Sequence, residues 1–269
     1  MTLVDTRPIP IRFSALKQIA LSPAHCHDAI VAEREDTLAM RIGRGVHAML
    51  FDQPITVWEG PVRRGKAWDA FKAEHDGEEI LNVSERDQSK RIADAVKSHE
   101  IASRLLFDGT RLEHRFDFRF MGRLCRATPD AFGSHHLVDL KTHRRQDPER
   151  FVKSATFMAY HAQVAWYQES LRAASLSSAD DVYIVAVESI RPFPVTVYKL
   201  SEGALDMGRR AFRLWFEQLL GCEQSNQWPA YAQDVIPFHV EEPTVLVFPD
   251  EDNPPDPDWV TGDNESEAA

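Results

Sequence analysis

The sequence predicts an α/β (α+β) fold, a central mixed sheet flanked by helices with a helical region on its N-terminal side. Three observations point there. Apolar residues recur near helical spacing over the first 106 or so positions, then switch to strict alternation from Leu112 onward. Beyond that point strand and helix patterns take turns, as in layered folds. The chain has 269 residues, 43% of them hydrophobic and 27% charged, which is core enough for one large domain or two small ones.

The elements follow in order. Ser14 and Ser22 mark successive helix starts, the second with Pro23 at the first helical position. Leu38, Ile42, Val46 and Leu50 predict a helix through "TLAMRIGRGVHAMLFD". The stretch "ITVWEGPVRRGKAWDAFKAEH" reads as a short strand, a Gly/Pro turn and a helix. Ser84 is expected to cap one long helix running to about residue 106, with Ile92, Ala95 and Val96 on its apolar side. In "RLEHRFDFRF", Leu112, Phe116, Phe118 and Phe120 alternate with charged residues, predicting a single half-buried strand. A second strand begins after Gly122, and "HLVDLKT" is a third. One long helix is expected from about 148 to 174, then strands "DVYIVAVES" and "VTVYKL", and a closing helix from about 204 to 220.

Charge and cysteine content narrow the function classes. A formal charge of −11 argues against nucleic acid, whose phosphates call for lysine and arginine. Ten of the 42 acids, however, lie in residues 241–269, which hold no Lys or Arg; the rest of the chain has 32 acids against 31 bases and can carry a basic face. We therefore divide the chain into a domain over 1–240 and an acidic, Pro-rich tail over 241–269 that is expected to be disordered. Cys26, Cys125 and Cys222 are widely spaced, with no CxxC pair, and read as free thiols in a reducing compartment. The N-terminal segment lacks an uninterrupted apolar run, and no segment approaches the roughly 18 apolar residues of a membrane span. A soluble cytoplasmic protein is the expectation, with no membrane partner.

The stretch "ATPDAFGSHHLVDLKTHRR" carries the chemistry. Asp139 and Lys141 are two apart on a strand and share a face, while Leu140 points to the core. A turn centred on Ser134 and His135 sets Asp130 opposite Asp139; one centred on Gly133 and Ser134 shifts the pairing but keeps all three on one face. Carboxylates about 5 Å apart repel by roughly 3 kcal/mol at an effective dielectric near 20, raising one of them by about two pKa units unless a cation intervenes. Oxygen ligands on a sheet suit a hard ion, Mg²⁺ or Mn²⁺. The parts are those of metal-assisted hydrolysis, with Lys141 placed to hold a water or offset phosphate charge. Gln163 and Tyr167, four apart, lie on one helix face.

With these motifs in this order, the chain resembles the exonuclease domain of RecE-type phage and prophage nucleases, in the RecB-like branch of the PD-(D/E)xK superfamily. The resemblance covers about residues 13 to 231. It is carried by "SPAHCHDA", "GRGVHAMLF", "TPD", "VDLKT", "YHAQVAWYQ", "YIVAVESIRPFPVTVYKL" and "GRRAFR". Ala127 stands where the family often has glycine, three residues before Asp130.

The resemblance implies a restriction-endonuclease-like core and a metal site of His47, Asp130, Asp139 and the backbone carbonyl of Leu140. Lys141 would be the catalytic lysine, and Gln163 with Tyr167 would position substrate or water. Glu113 stands where similar nucleases often carry an acid, though a solvated strand glutamate reads equally well. Glu188 matches the family's "VE" and reads as structural. Arg144 and Arg145, just past the site, are candidate DNA contacts, as are Arg63, Arg64 and Lys66. The activity implied is an Mg²⁺- or Mn²⁺-dependent exonuclease on the ends of linear double-stranded DNA, of 5′ to 3′ polarity. It would act in phage-type recombination as a homo-oligomeric ring with a single-strand annealing protein. The alternatives are a structure-specific endonuclease of the same fold and a catalytically silent DNA-binding scaffold. Relatives that hold an iron–sulfur cluster use four cysteines, so no cluster is expected from three.

Overall fold

Side-chain caps start most of the chain's helices. The computed structural model describes residues 9–32, 36–144, 147–232 and 234–237; the acidic tail over 241–269 and Arg145 lie outside the described residues. Helix α1 (Phe13–Leu16) begins one residue before Ser14 and has no side-chain cap. Helix α2 (Pro23–Val31) is capped by Ser22, as its Ser-Pro start predicts. Thr37 accepts from the Met40 amide at 3.2 Å and opens α3 (Leu38–Leu50), whose Ile42, Val46 and Leu50 are buried while Leu38 is exposed.

Strand β1 (Ile55–Val57), helix α4 (Lys66–Glu74) and strand β2 (Glu79–Leu81) follow; β1 and β2 pair in parallel, and β2 is an element the periodicity missed. The expected single helix from Ser84 is two helices, α5 (Val83–Ser98) and α6 (Glu100–Phe107). The cap is Asn82, which accepts from the Glu85 amide at 2.8 Å while the Glu85 carboxylate accepts from the Asn82 amide at 2.8 Å. A reciprocal pair of this kind satisfies two orphan amides and outcompetes a lone serine. The break falls at His99, which is extended and caps α6 through Nδ1. Ala93, not Ala95, joins Ile92 and Val96 in the core.

The "RLEHRFDFRF" stretch also divides. Strand β3 (Arg111–Leu112) and strand β4 (Phe116–Phe120) belong to different sheets, because Glu113 adopts a left-handed φ of 46° and turns the chain between them. Strand β5 (Arg123–Ala127) pairs with β4, and Ala127 is buried there. Then come β6 (Ala131–Phe132), β7 (His136–His143), helices α7 (Pro148–Phe157) and α8 (Tyr160–Ala173), β8 (Asp181–Glu188), β9 (Val195–Lys199) and α9 (Glu202–Ser225). The long helix expected over 148–174 is broken at Ala159, whose φ of 59° ends α7 and restarts the chain as α8.

Strands β3, β6, β7, β8 and β9 form one mixed sheet in that order, parallel between β7 and β8 and antiparallel elsewhere. The α7–α8 pair is the crossover that a parallel pair requires. Alternation along the strands separates two cores. Leu137, Val182, Ile184 and Ala186 pack with Trp166 of α8 and Phe212 and Phe216 of α9. Val138, Leu140, Val185 and Val187 face the other way, toward Ile42 and Val46 of α3, Ile92 and Val96 of α5, and Leu106 of α6. Burying each such side chain contributes about 1.5–3 kcal/mol, so the odd and even faces of β7 are held in register from both sides. The chain is thus an α/β domain with helices on both faces of the sheet. Among the described residues no helix is long and apolar enough to cross a membrane.

Candidate metal centre and active site

The hairpin register decides what meets at the site. Ala131 pairs with Val138 and Phe132 with Leu137, the register of a turn centred on Ser134 and His135. One step further, Asp130 stands across from Asp139, and its Oδ2 accepts from the Leu140 amide at 2.6 Å. Asp139 and Lys141 alternate with Leu140 and so lie on the α8 side of the sheet. Leu140 therefore contributes a backbone amide that fixes Asp130, while its side chain anchors the opposite core.

Helix α8 covers this face. Lys141 Nζ donates to Gln163 Oε1 at 3.0 Å, and Gln163 Nε2 donates to the Tyr167 hydroxyl at 3.1 Å. The Tyr160 ring lies 4.7 Å from Nζ, a cation–π contact. Tyr160, Gln163 and Tyr167 are thus one helix face, and the break at Ala159 aims it at the lysine. From the other side of the sheet, His47 on α3 places Nδ1 3.0 Å from Glu113 Oε1 and 3.6 Å from Asp130 Oδ1. The left-handed turn at Glu113 brings its carboxylate there, beside the backbone bond from its amide to the Asp130 carbonyl at 2.9 Å.

Burial sets the electrostatics. It pushes Asp139 up to about 6 against the pull of Lys141, and the neighbouring Asp130 carboxylate adds to the rise. Repulsion alone, the cause argued from the hairpin, is therefore the smaller part. Burial also raises Asp130 despite His47 and Lys141 nearby. For Lys141 burial disfavours the ammonium, but Asp139 and Asp130 outweigh it and the lysine is held above its ordinary range. His47 behaves alike: burial works against its charged form, and Asp130 and Glu113 raise it on balance.

Residues 12–236 match the family described as a PDDEXK-like domain of unknown function (DUF3799). The chain belongs to that family. Its fold is shared by a crystal structure from Eubacterium rectale described as a "putative exonuclease", with a TM-score of 0.62 and 13% identity over 90% of this chain and 97% of that one. At that identity the likeness concerns the fold alone. A crystal structure of the protein described as SSO0001 aligns at a TM-score of 0.27 and 10% identity, over 75% of this chain and 84% of that one, too distant to bear on the fold. No protein of curated function matches the sequence.

In this PDDEXK-like site the donor set fits a divalent cation. One ligand atom from each of His47, Glu113 and Asp130 lies within 4.8 Å of the other two. Ligands about 2.1 Å from an ion at right angles stand about 3 Å apart, close to the separations from His47. Asp139 Oδ2 lies 2.7 Å from Lys141 Nζ, an ion pair that joins the lysine to the acidic side of the site. Two carboxylates and an imidazole gathered this closely are a donor set that a divalent cation would complete.

The structure brings together His47, Asp130, Asp139, Leu140, Lys141, Gln163 and Tyr167, all proposed from sequence, draws in Glu113, whose role the sequence left open, and adds Tyr160. Glu113 enters through its backbone turn, for which alternation gave no signal. Tyr160 was passed over, although its i, i+3 and i+7 spacing with Gln163 and Tyr167 marks one helix face. Arg144 is exposed just past the end of β7. Glu188 is buried at the end of β8 opposite His143. Arg63 is bound to Glu85 rather than open to a ligand. Cys26, Cys125 and Cys222 are buried free thiols, and burial pushes Cys26 and Cys125 up to about 12, which disfavours the thiolate a metal would need.

Proposed function

We propose that the chain is a metal-dependent nuclease that hydrolyses phosphodiester bonds from the ends of linear double-stranded DNA. The observation that carries this reading is the placement of a largely buried Lys141 between Asp139 and Gln163, on the sheet face next to the His47–Glu113–Asp130 cluster. His47, Glu113, Asp130 and Asp139 would hold Mg²⁺ or Mn²⁺, which when bound supplies charge neutralisation at the phosphate and a more acidic water.

The chain's own residues account for the rest. Asp139 and Asp130 keep the proton on Lys141 Nζ, so the ammonium offers fixed positive charge where a phosphorane-like transition state gathers negative charge. Gln163 accepts from Nζ through Oε1 and donates to Tyr167 through Nε2, which locks the amide orientation and holds Lys141 in one direction. The Tyr160 ring screens Nζ from solvent on a further side. Preorganisation of this kind does not have to be created during the reaction.

The resemblance to RecE-type nucleases supports 5′ to 3′ polarity, a ring-shaped homo-oligomer and a role in phage-type recombination beside a single-strand annealing protein. Arg144 and Arg145 remain proposed DNA contacts. The test is digestion of end-labelled linear duplex against a closed circular control, with and without Mg²⁺. Metal-dependent shortening of the linear duplex with the circle intact is expected. Cutting of the circle would move the reading to an endonuclease, and absence of both cleavage and Mg²⁺ binding would leave a silent scaffold.

A further inference from the structure

A groove of about 600 Å³ opens beside the carboxyl end of β8, between the first half of α5 and the turn that joins β8 to β9. Ser84, Gln88 and Arg91 line it from α5, at the i, i+4 and i+7 positions of one helix face. Ser189, Arg191 and Phe193 line it from the turn. Asp87 borders it too, with its carboxylate taken by Arg86 at 2.7 Å. Arg91 and Arg191 are both exposed, and among the described residues neither has a hydrogen-bond or ion-pair partner.

Both walls are pinned. Gln88 Nε2 donates to the Ser189 carbonyl at 3.0 Å and ties α5 to the turn. The turn is closed by the Phe193 amide on the Ile190 carbonyl at 2.9 Å and the Glu188 amide on the Pro194 carbonyl at 3.0 Å, and Phe193 packs on the core beneath. Bonded paths also lead from the groove to the site. The Ser189 amide donates to the His143 carbonyl at 2.7 Å, and His143 is two residues along β7 from Lys141, about 7 Å. On the other flank of α5, Ser89 Oγ donates to the Ile42 carbonyl at 3.3 Å, which joins it to the helix that carries His47.

We propose that this groove binds a phosphate of the DNA backbone a few nucleotides from the scissile one, held between the Arg91 and Arg191 guanidiniums. This rests on the nuclease reading above. Two guanidiniums without carboxylate partners, facing one concave space from two walls, are positive charge left for an anion from outside the chain. Their planar donor forks match phosphate oxygens, and the Ser84 and Ser189 hydroxyls add neutral donors. A nucleic-acid strand is favoured over a lone anion by the spacing from Lys141. About 7 Å along β7 corresponds to about two steps of a duplex strand at roughly 3.4 Å each, so one strand can meet both places at once.

The experiment follows binding of a fluorescently labelled linear duplex by anisotropy over a series of salt concentrations, beside steady-state cleavage with Mg²⁺. Wild type is compared with Arg91→Gln/Arg191→Gln, with Arg91→Lys/Arg191→Lys, and with Lys90→Gln/Lys199→Gln, which removes two surface charges paired elsewhere. Both arginines are exposed and unbonded, so their variants fold as wild type does. The double glutamine variant at the groove should bind about tenfold more weakly, with KM raised and kcat nearly unchanged. Its slope of log affinity on log salt should fall by about 0.9, the value for one phosphate contact, while the lysine variant keeps the slope. Unchanged slope and KM in the glutamine variant, with active wild type, would overturn the inference and leave the nuclease reading standing. An equal loss in Lys90→Gln/Lys199→Gln would overturn it in favour of diffuse surface charge. Calorimetry with inorganic phosphate separates the remaining source: phosphate binding lost in the glutamine variant while duplex binding is unchanged would make the groove a free-anion site and overturn the proposal. Wild type that neither binds nor cleaves any duplex would remove both readings.

Discussion

A buried ammonium keeps its proton only when carboxylates stand close, and Lys141 has Asp139 Oδ2 at 2.7 Å. The two are therefore coupled in charge and, on the proposed nuclease reading, in function. Lys141→Ala and Asp139→Ala should each lower metal-dependent cleavage of linear duplex at least about 100-fold while circular dichroism and the unfolding midpoint show a folded protein. Wild-type digestion by either variant would sink the assignment. Glu113 can be separated from the lysine. Its carboxylate meets His47 and Asp130 but not Lys141, so Glu113→Gln should weaken Mn²⁺ or Mg²⁺ binding in calorimetry by tenfold or so. Unchanged affinity would show that the cluster holds no ion. At this scale the sequence pointed to Asp130, Asp139 and Lys141 through alternation and turn position, whereas Glu113 depended on a backbone φ that no neighbouring glycine or proline announces.

Helix α9 provides a contrast within one element. A Cβ at Gly208 would fall 2.4 Å from the His161 carbonyl oxygen and 3.0 Å from the Ala162 Cα, so α8 and α9 meet at backbone contact there. At Gly221, in the same helix, nothing lies within 4 Å of that position. Alanine gains about 1 kcal/mol of helix propensity at either place, but overpacking against backbone costs about 1–3 kcal/mol. Gly208→Ala should therefore lower Tm by up to about 8 °C and Gly221→Ala should hold or raise it. Equal shifts would mean the helices are free to move apart. Strands and most helices were legible from period and caps, because both are properties of residues two to four apart. The breaks at His99 and Ala159 were not, since a helical sequence continues through each and the turn is imposed by packing on the sheet.

Across the molecule, Glu85 links three segments. It accepts from Arg41 Nε at 2.9 Å on α3, from Arg63 Nη1 at 2.8 Å in the loop after β1, and from the Asn82 amide at 2.8 Å at the start of α5. Despite burial, these bonds, led by Arg63, bring its carboxyl from 4.5 down to about 2. The folded value lies below the unfolded one, so the stabilisation is full above about pH 4.5 and is lost as pH falls toward 2. It amounts to about 3 kcal/mol. Urea midpoints should fall between pH 6 and pH 3 in wild type, and Glu85→Gln should flatten that dependence. A variant as acid-sensitive as wild type would show that other carboxylates dominate.

The sequence by itself determined the α/β class, the strands bearing the motif, and the face shared by Asp130, Asp139 and Lys141. Those follow from covalent alternation along a strand, which either possible turn preserves; the choice between the two hairpin registers came from the structure. Tertiary structure decided that His47, on a helix packed across one side of the sheet, meets Asp130 at the start of β6, and that Tyr160 and Gln163 close over Lys141 from the opposite side. Such meetings join residues dozens of positions apart. They exist only once two separate cores clamp the sheet between helices, and no local period encodes that.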